Sequence, residues 1–162
     1  MKEYNNHYTG KSLKQKVVLT HIGRPNPTTG QTFLLDERLE SAVTRANGRQ
    51  MVIVATRPVQ PKNPTNMDWF LQIPDNDICG LVTEIELIKC QQYEGEAVIV
   101  GTIVPAGGRG FVLRDELMRS DPKISYFGMR TMLTKPWRQS LDGATKYGQV
   151  KDIVCWDLMP RR

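Results

Sequence analysis

Histidine is the scarcest acid–base side chain in this sequence: 162 residues carry two, His7 and His21. Chemistry that relies on an imidazole therefore has few places to stand. Cysteine is nearly as rare, with Cys79, Cys90 and Cys155, an odd number in which no two have the spacing of a zinc knuckle. Each thiol sits in an apolar, strand-like run and reads as a buried, reduced side chain of a cytosolic protein. No metal site and no cofactor are expected. No window approaches 18 apolar residues, so no membrane span is expected. The opening MKEYNNHYTGKSLKQK is polar and has no apolar h-region, so no signal peptide is expected either. The formal charge is +5, but its lysines and arginines are spread along the chain, and only Arg161-Arg162 form a pair without a nearby acid. Such a distribution is compatible with polyanion contact without specifying it, and no specific nucleic-acid partner is expected.

What is present suits one ordinary domain, with 40% hydrophobic and 24% charged residues. Residues 1–14 read as a flexible arm with little to bury, and 15–162 as a single domain. KVVLTHI, from Lys16 to Ile22, reads as a strand, followed by a loop with two prolines and two glycines. Leu35, Leu39, Ala42, Val43 and Ala46 fall on one helical face, which predicts a helix over about 34–47 stopped by Gly48. MVIVAT is a short buried strand. The next stretch, Arg57 to Asp77, holds four prolines and reads as irregular. A connection of that length usually has a job, and Trp69-Phe70 are its natural anchors against a partner. ICGLVTEIELIK and EAVIVGTIV form a hairpin signature around a polar turn. PAGGRG opens a second helix of about ten residues, stopped by Asp121-Pro122. KISYFGMRTML is a strand, KPWRQSLDGATKYG a hairpin-like excursion, and QVKDIVCWDLM a last strand ended by Pro160. Six or so strands with about two helices predict an α+β fold on a mostly antiparallel barrel or strongly curved sheet.

Four segments carry a resemblance: GRPNPTTGQTFLLDERLESAV, the central hairpin, GFVLRDELMRSDPKISYFGMRTM and YGQVKDIVCWDLMP. Together, over roughly Lys16 to Pro160, they resemble the prohead (capsid-maturation) serine proteases of tailed bacteriophages, which have a herpesvirus-assemblin-like barrel. The resemblance implies a serine on the strand after the second helix, a histidine beside a proline in the loop before the hairpin, and an aspartate in the closing strand. Arg130 falls on the family's arginine, which puts Gly128 and Met129 where serine is expected in one branch and Tyr126 where it is expected in another. Asn63, before Pro64, is the nearest analogue of the histidine, and asparagine takes no proton near neutral pH. Asp157 matches the family's acid. Gly107, Gly108, Arg109 and Gly110 fall where a loop helps shape the oxyanion site.

The resemblance thus implies a catalytically inactive relative serving as a structural component of a phage particle. Its partners would be other phage structural proteins or copies of itself, and its location the virion, reached from the bacterial host cytoplasm. The alternative is an active protease using Ser125, His21 and Asp157, although Ser125 lies one residue out of phase on the strand unless a bulge intervenes. A third class is a binding module whose likeness to the proteases is accidental. Whatever the function, Arg130 in an apolar strand needs an acid, Asp157 first and Glu84 or Glu86 next, because a buried unpaired charge is very costly.

Overall fold

A strongly curled six-stranded sheet forms a half-barrel, with the strand order β1-β5-β4-β3-β9-β6. Its members are β1 (Gln15–Ile22), β3 (Met51–Val54), β4 (Ile78–Lys89), β5 (Ala97–Pro105), β6 (Ile124–Leu133) and β9 (Val150–Pro160). This computed structural model describes residues 13–27, 29–119 and 124–160, with the side chains of 124–126 and 160 outside the description. The expected arm (except residues 13 and 14), His7, the Asp121-Pro122 stop and Arg161-Arg162 lie outside the described residues. All neighbouring pairs in the sheet are antiparallel except β3 with β9, which is parallel.

Register shifts interrupt β1 at Val18/Thr20, β4 at Thr83/Glu86 and β6 at Arg130/Thr131. Extra residues of this kind bend and twist a strand, and they curl the sheet around an apolar interior. Ile22, Ile53, Ile99, Ile103, Ile153 and Trp156 are fully buried there. Trp156 of β9 donates from Nε1 to Thr20 Oγ1 of β1 at 2.9 Å. Those strands are four places apart in the sheet, so the bond crosses the interior and measures how far the sheet has curled.

Helix α1 (Glu37–Asn47) covers the sheet with Leu39, Ala42, Val43 and Ala46, the residues its 3.6-residue period selects. It begins later than the periodicity suggests. Asp36 is the N-cap, accepting from the Leu39 amide at 2.9 Å and from Gln149 Nε2 at 2.8 Å. Leu34 to Asp36 instead connect the helix to β2 (Gln31–Phe33), a strand with no sequence signal of its own. It pairs in parallel with β8 (Lys146–Gly148), which pairs with β7 (Arg138–Gln139), so the expected excursion is a hairpin within a second, three-stranded sheet.

The proline-rich connection is not wholly irregular. It holds a one-turn helix, α2 (Asp68–Leu71), and a 3₁₀ turn over Asp75–Asp77. Residues 59–68, by contrast, are all exposed. Trypsin on the folded protein is therefore expected to cut first, among the described residues, after Lys62, a cleavage read by mass spectrometry. A first cut within α1 or the half-barrel would contradict this. The last helix, α3 (Gly110–Met118), buries Leu113 against Gly80, where a Cβ would come within 2.6 Å of the leucine Cδ2. Among the described residues, no helix is long and apolar enough to cross a membrane.

Candidate functional site

Successive side chains on a strand point to opposite faces, so β6 sends Gly128 and Arg130 outward and Met129 inward. Gly128 lies directly across from Asp157 on β9, while Met129 packs against the core. Of the two positions where one branch of the family carries serine, only Gly128 therefore shares a face with the acid, and the side chain of Tyr126, the other branch's position, lies outside the described residues. A Cβ there would lie 3.2 Å from Met159 Cγ and 3.7 Å from Arg57 Nη1. The methionine can yield, so a side chain at this point is crowded rather than forbidden.

Arg130 and Asp157 form an ion pair with each side chain 1% exposed. The guanidinium meets the carboxylate twice, Nε donating to Oδ2 at 3.2 Å and Nη2 donating to Oδ1. Its Nη1 donates to the backbone carbonyls of Phe70 at 3.0 Å and Gln72 at 2.9 Å, and the Phe70 ring lies 5.8 Å away. Four of about five guanidinium N–H groups are thereby used. Asp157 is the first of the acids expected for Arg130, and the fork geometry suits a carboxylate. Glu84 instead accepts from Thr102 Oγ1 at 3.1 Å, and Glu86 pairs with Lys16.

The clamp also engages the turn that carries Trp69 and Phe70. Both are half-buried, with their rings edge to face at 5.6 Å, and Phe70 is committed to Arg130. The second half of the connection thus packs on its own sheet. Asn63 lies in the exposed first half. His21 is exposed on β1, and Asp157 is engaged by a guanidinium rather than an imidazole. The Ser125 side chain lies outside the described residues, although the β6 register does shift between Ile124 and Tyr126.

Two amides of the glycine-rich turn are engaged. The Arg109 amide donates to Ile78 O at 2.9 Å and the Gly110 amide to Gly107 O at 3.1 Å. Gly107 has φ +84°, and a Cβ there would meet Ile78 O at 2.6 Å, so the turn depends on its missing side chain. The Arg109 side chain donates to Thr56 Oγ1 at 2.8 Å and lies 3.7 Å from Asp77. These contacts make a structural tie in which the amides of Arg109 and Gly110 are not free for an oxyanion.

Two buried thiols flank the clamp. Burial pushes Cys155 up to about 12, with the Asp157 charge adding to the effect and Arg130 opposing it. Burial likewise pushes Cys79 up to about 12, against the opposing charge of Arg109. Neither supplies a thiolate near neutral pH, whereas Cys90 is exposed. One thiol of three is expected to react with a disulfide reagent at pH 8 in the folded state, and all three in denaturant. In the unfolded chain Cys79 and Cys155 ionise near 9, whereas the folded protein holds their protons to about 12. Their contribution to stability is thus complete below 9 and is lost as pH climbs from 9 to 12. Rapid labelling of Cys79 or Cys155 in the folded protein would contradict this.

Sequence reasoning missed a groove of about 830 Å³ where the two edges of the half-barrel, β1 and β6, face each other. Its lining includes the β1 stretch from Val17 to His21, the β6 stretch from Phe127 to Met129, and Arg24, Arg57 and Arg119. No local motif marks it, because its walls come from distant parts of the chain. Among the described residues there is no group of three or more His, Cys, Asp or Glu side chains that could hold a metal. Comparison of the chain with protein-family models, with curated proteins and with solved structures finds no match.

Proposed function

We propose that this chain is a non-catalytic structural component of a tailed-bacteriophage particle, associated with head, neck or tail and built on a prohead-protease-like fold. The observation that carries the reading is the clamp. At the acid position, Asp157 neutralises Arg130, and the pair holds the Phe70–Gln72 backbone against the sheet. The strand residue facing that acid is Gly128, which has no nucleophile. Groups that a protease would aim at a substrate here hold a loop in place. The partners are other structural proteins of the particle and further copies of this chain. The protein is made in the bacterial cytoplasm and ends in the virion.

Mass spectrometry of purified particles tests the reading. The expected result is this chain at a fixed copy number, with capsid processing unchanged when Ser125 or His21 is replaced by alanine. Its absence from particles, with processing lost in both variants while they remain folded, overturns the reading. A second reading, an active protease using Ser125, His21 and Asp157, is favoured by one observation. The register of β6 shifts at Ile124/Tyr126, the irregularity that placing Ser125 on the required face would need.

A further inference from the structure

The groove has two properties that a closed barrel lacks. Its walls include two sheet edges, β1 and β6, each hydrogen-bonded among the described residues to a neighbouring strand on one side only, and the segment from Arg24 to Phe33 completes it. Edge strands are templates for a further strand, and proteins that leave them uncovered commonly use them for recognition. The stretch from Gln15 to His21 lines the groove almost without interruption, long enough to pair with an extended segment. Its floor is apolar, with Leu19, Ile103 and Phe127 among its buried residues.

Its charge is one-sided. Among the described residues, Arg24, Arg57 and Arg119 line it against one carboxylate, Glu116. Arg119 is paired with Glu116 and Arg24 with Glu96, both at 3.5 Å. Among the described residues no carboxylate pairs with Arg57, whose Nη1 would lie 3.7 Å from a Cβ at Gly128. An exposed guanidinium beside a strand edge suits a carboxylate presented by an extended chain.

We propose that this groove docks an extended segment of another polypeptide, adding a strand to the free edge of β1, with an Asp or Glu of that segment on Arg57. The inference deepens the assembly reading and rests on it for the source of the segment, another protein of the particle. Residues 1–12 of this chain carry Lys2 and Lys11 against Glu3, a balance poorly matched to the same arginines.

The test is fluorescence anisotropy of the full chain with a labelled peptide of alternating valine and glutamate. Parallel titrations use its valine–lysine counterpart, a version with proline at alternate backbone positions, a peptide of residues 1–12 and a single-stranded oligodeoxynucleotide. The acidic peptide is expected to bind, and to weaken about tenfold in Arg57→Glu, a surface change that spares the core. The lysine and proline versions are expected to bind at least about tenfold more weakly, because they lose the charge match and the strand hydrogen bonds. Equal binding of the acidic and basic peptides, or no binding, overturns the proposal. So does tighter binding of the 1–12 peptide, which would make the groove a site for the chain's own arm. Oligonucleotide binding with the same dependence on Arg57 also overturns it. Failure here, with the chain still present in particles, removes the groove proposal alone. Cleavage of the bound peptide would instead remove the non-catalytic reading.

Discussion

Replacing Arg130 with methionine is expected to lower the free energy of unfolding by roughly 3–5 kcal/mol. The loss comes less from the attraction between the two charges than from what remains after one is removed. Asp157 is 1% exposed, and without the guanidinium its carboxylate would be buried with no opposite charge in contact. The carbonyls of Phe70 and Gln72 would lose their donor in the same step, so α2 should detach. Chymotryptic cutting should then appear at Trp69, Phe70 and Leu71. The companion variant, Arg130→Met with Asp157→Leu, separates pairing from packing. It removes both charges, so it is expected to recover most of the stability lost by the single change while leaving α2 loose. Urea denaturation with an unchanged slope reads the first effect, and proteolysis reads the second. A loss below about 1 kcal/mol in the single variant would mean that the pair is solvated and holds nothing.

Trp156→Ala is expected to cost a similar amount, about 3–5 kcal/mol, by a different route. Trp156 is the largest fully buried side chain, and its ring occupies the space enclosed by the curled sheet. Truncating it leaves a cavity that the surrounding isoleucines cannot fill without moving strands. Trp156→Phe keeps much of the volume and loses the bond to Thr20 Oγ1, so about 1–2 kcal/mol is expected. The difference between the two variants divides the effect into packing and polar parts. The alanine variant should also loosen β1 from β9, exposing the groove edge to faster amide exchange. Equal losses in the two variants would contradict a packing origin.

The fold was legible where side chains repeat with a clear period or where a turn is chemically obvious. Leu39, Ala42, Val43 and Ala46 repeat at helical spacing, and the strand pair Ile78–Lys89 and Ala97–Pro105 reads as two apolar runs around a polar turn. β2 was not legible, because three residues are too few to show alternation and its partner lies more than a hundred residues away. The start of α1 was misjudged for a related reason. Leu35 continues the apolar period, but the Asp36 cap determines where the helix begins. At the site, the pairing of Arg130 with Asp157 followed from the cost of burying an arginine in an apolar strand. The covering turn was not foreseeable, since its contribution is made by the main-chain carbonyls of Phe70 and Gln72. The groove also escaped notice, because a sheet edge has no sequence signature until the strand order is known.

The central proposal is that the Arg130–Asp157 clamp performs a structural task rather than a catalytic one. Incubating the folded chain with a fluorophosphonate serine probe and weighing it intact tests this most directly. The account predicts no adduct on the wild type, and none on Gly128→Ser, because Asp157 stays locked to Arg130 and the Arg109 and Gly110 amides stay engaged. A stoichiometric adduct on the wild type, mapped to Ser125 and lost in both Ser125→Ala and His21→Ala, would contradict it.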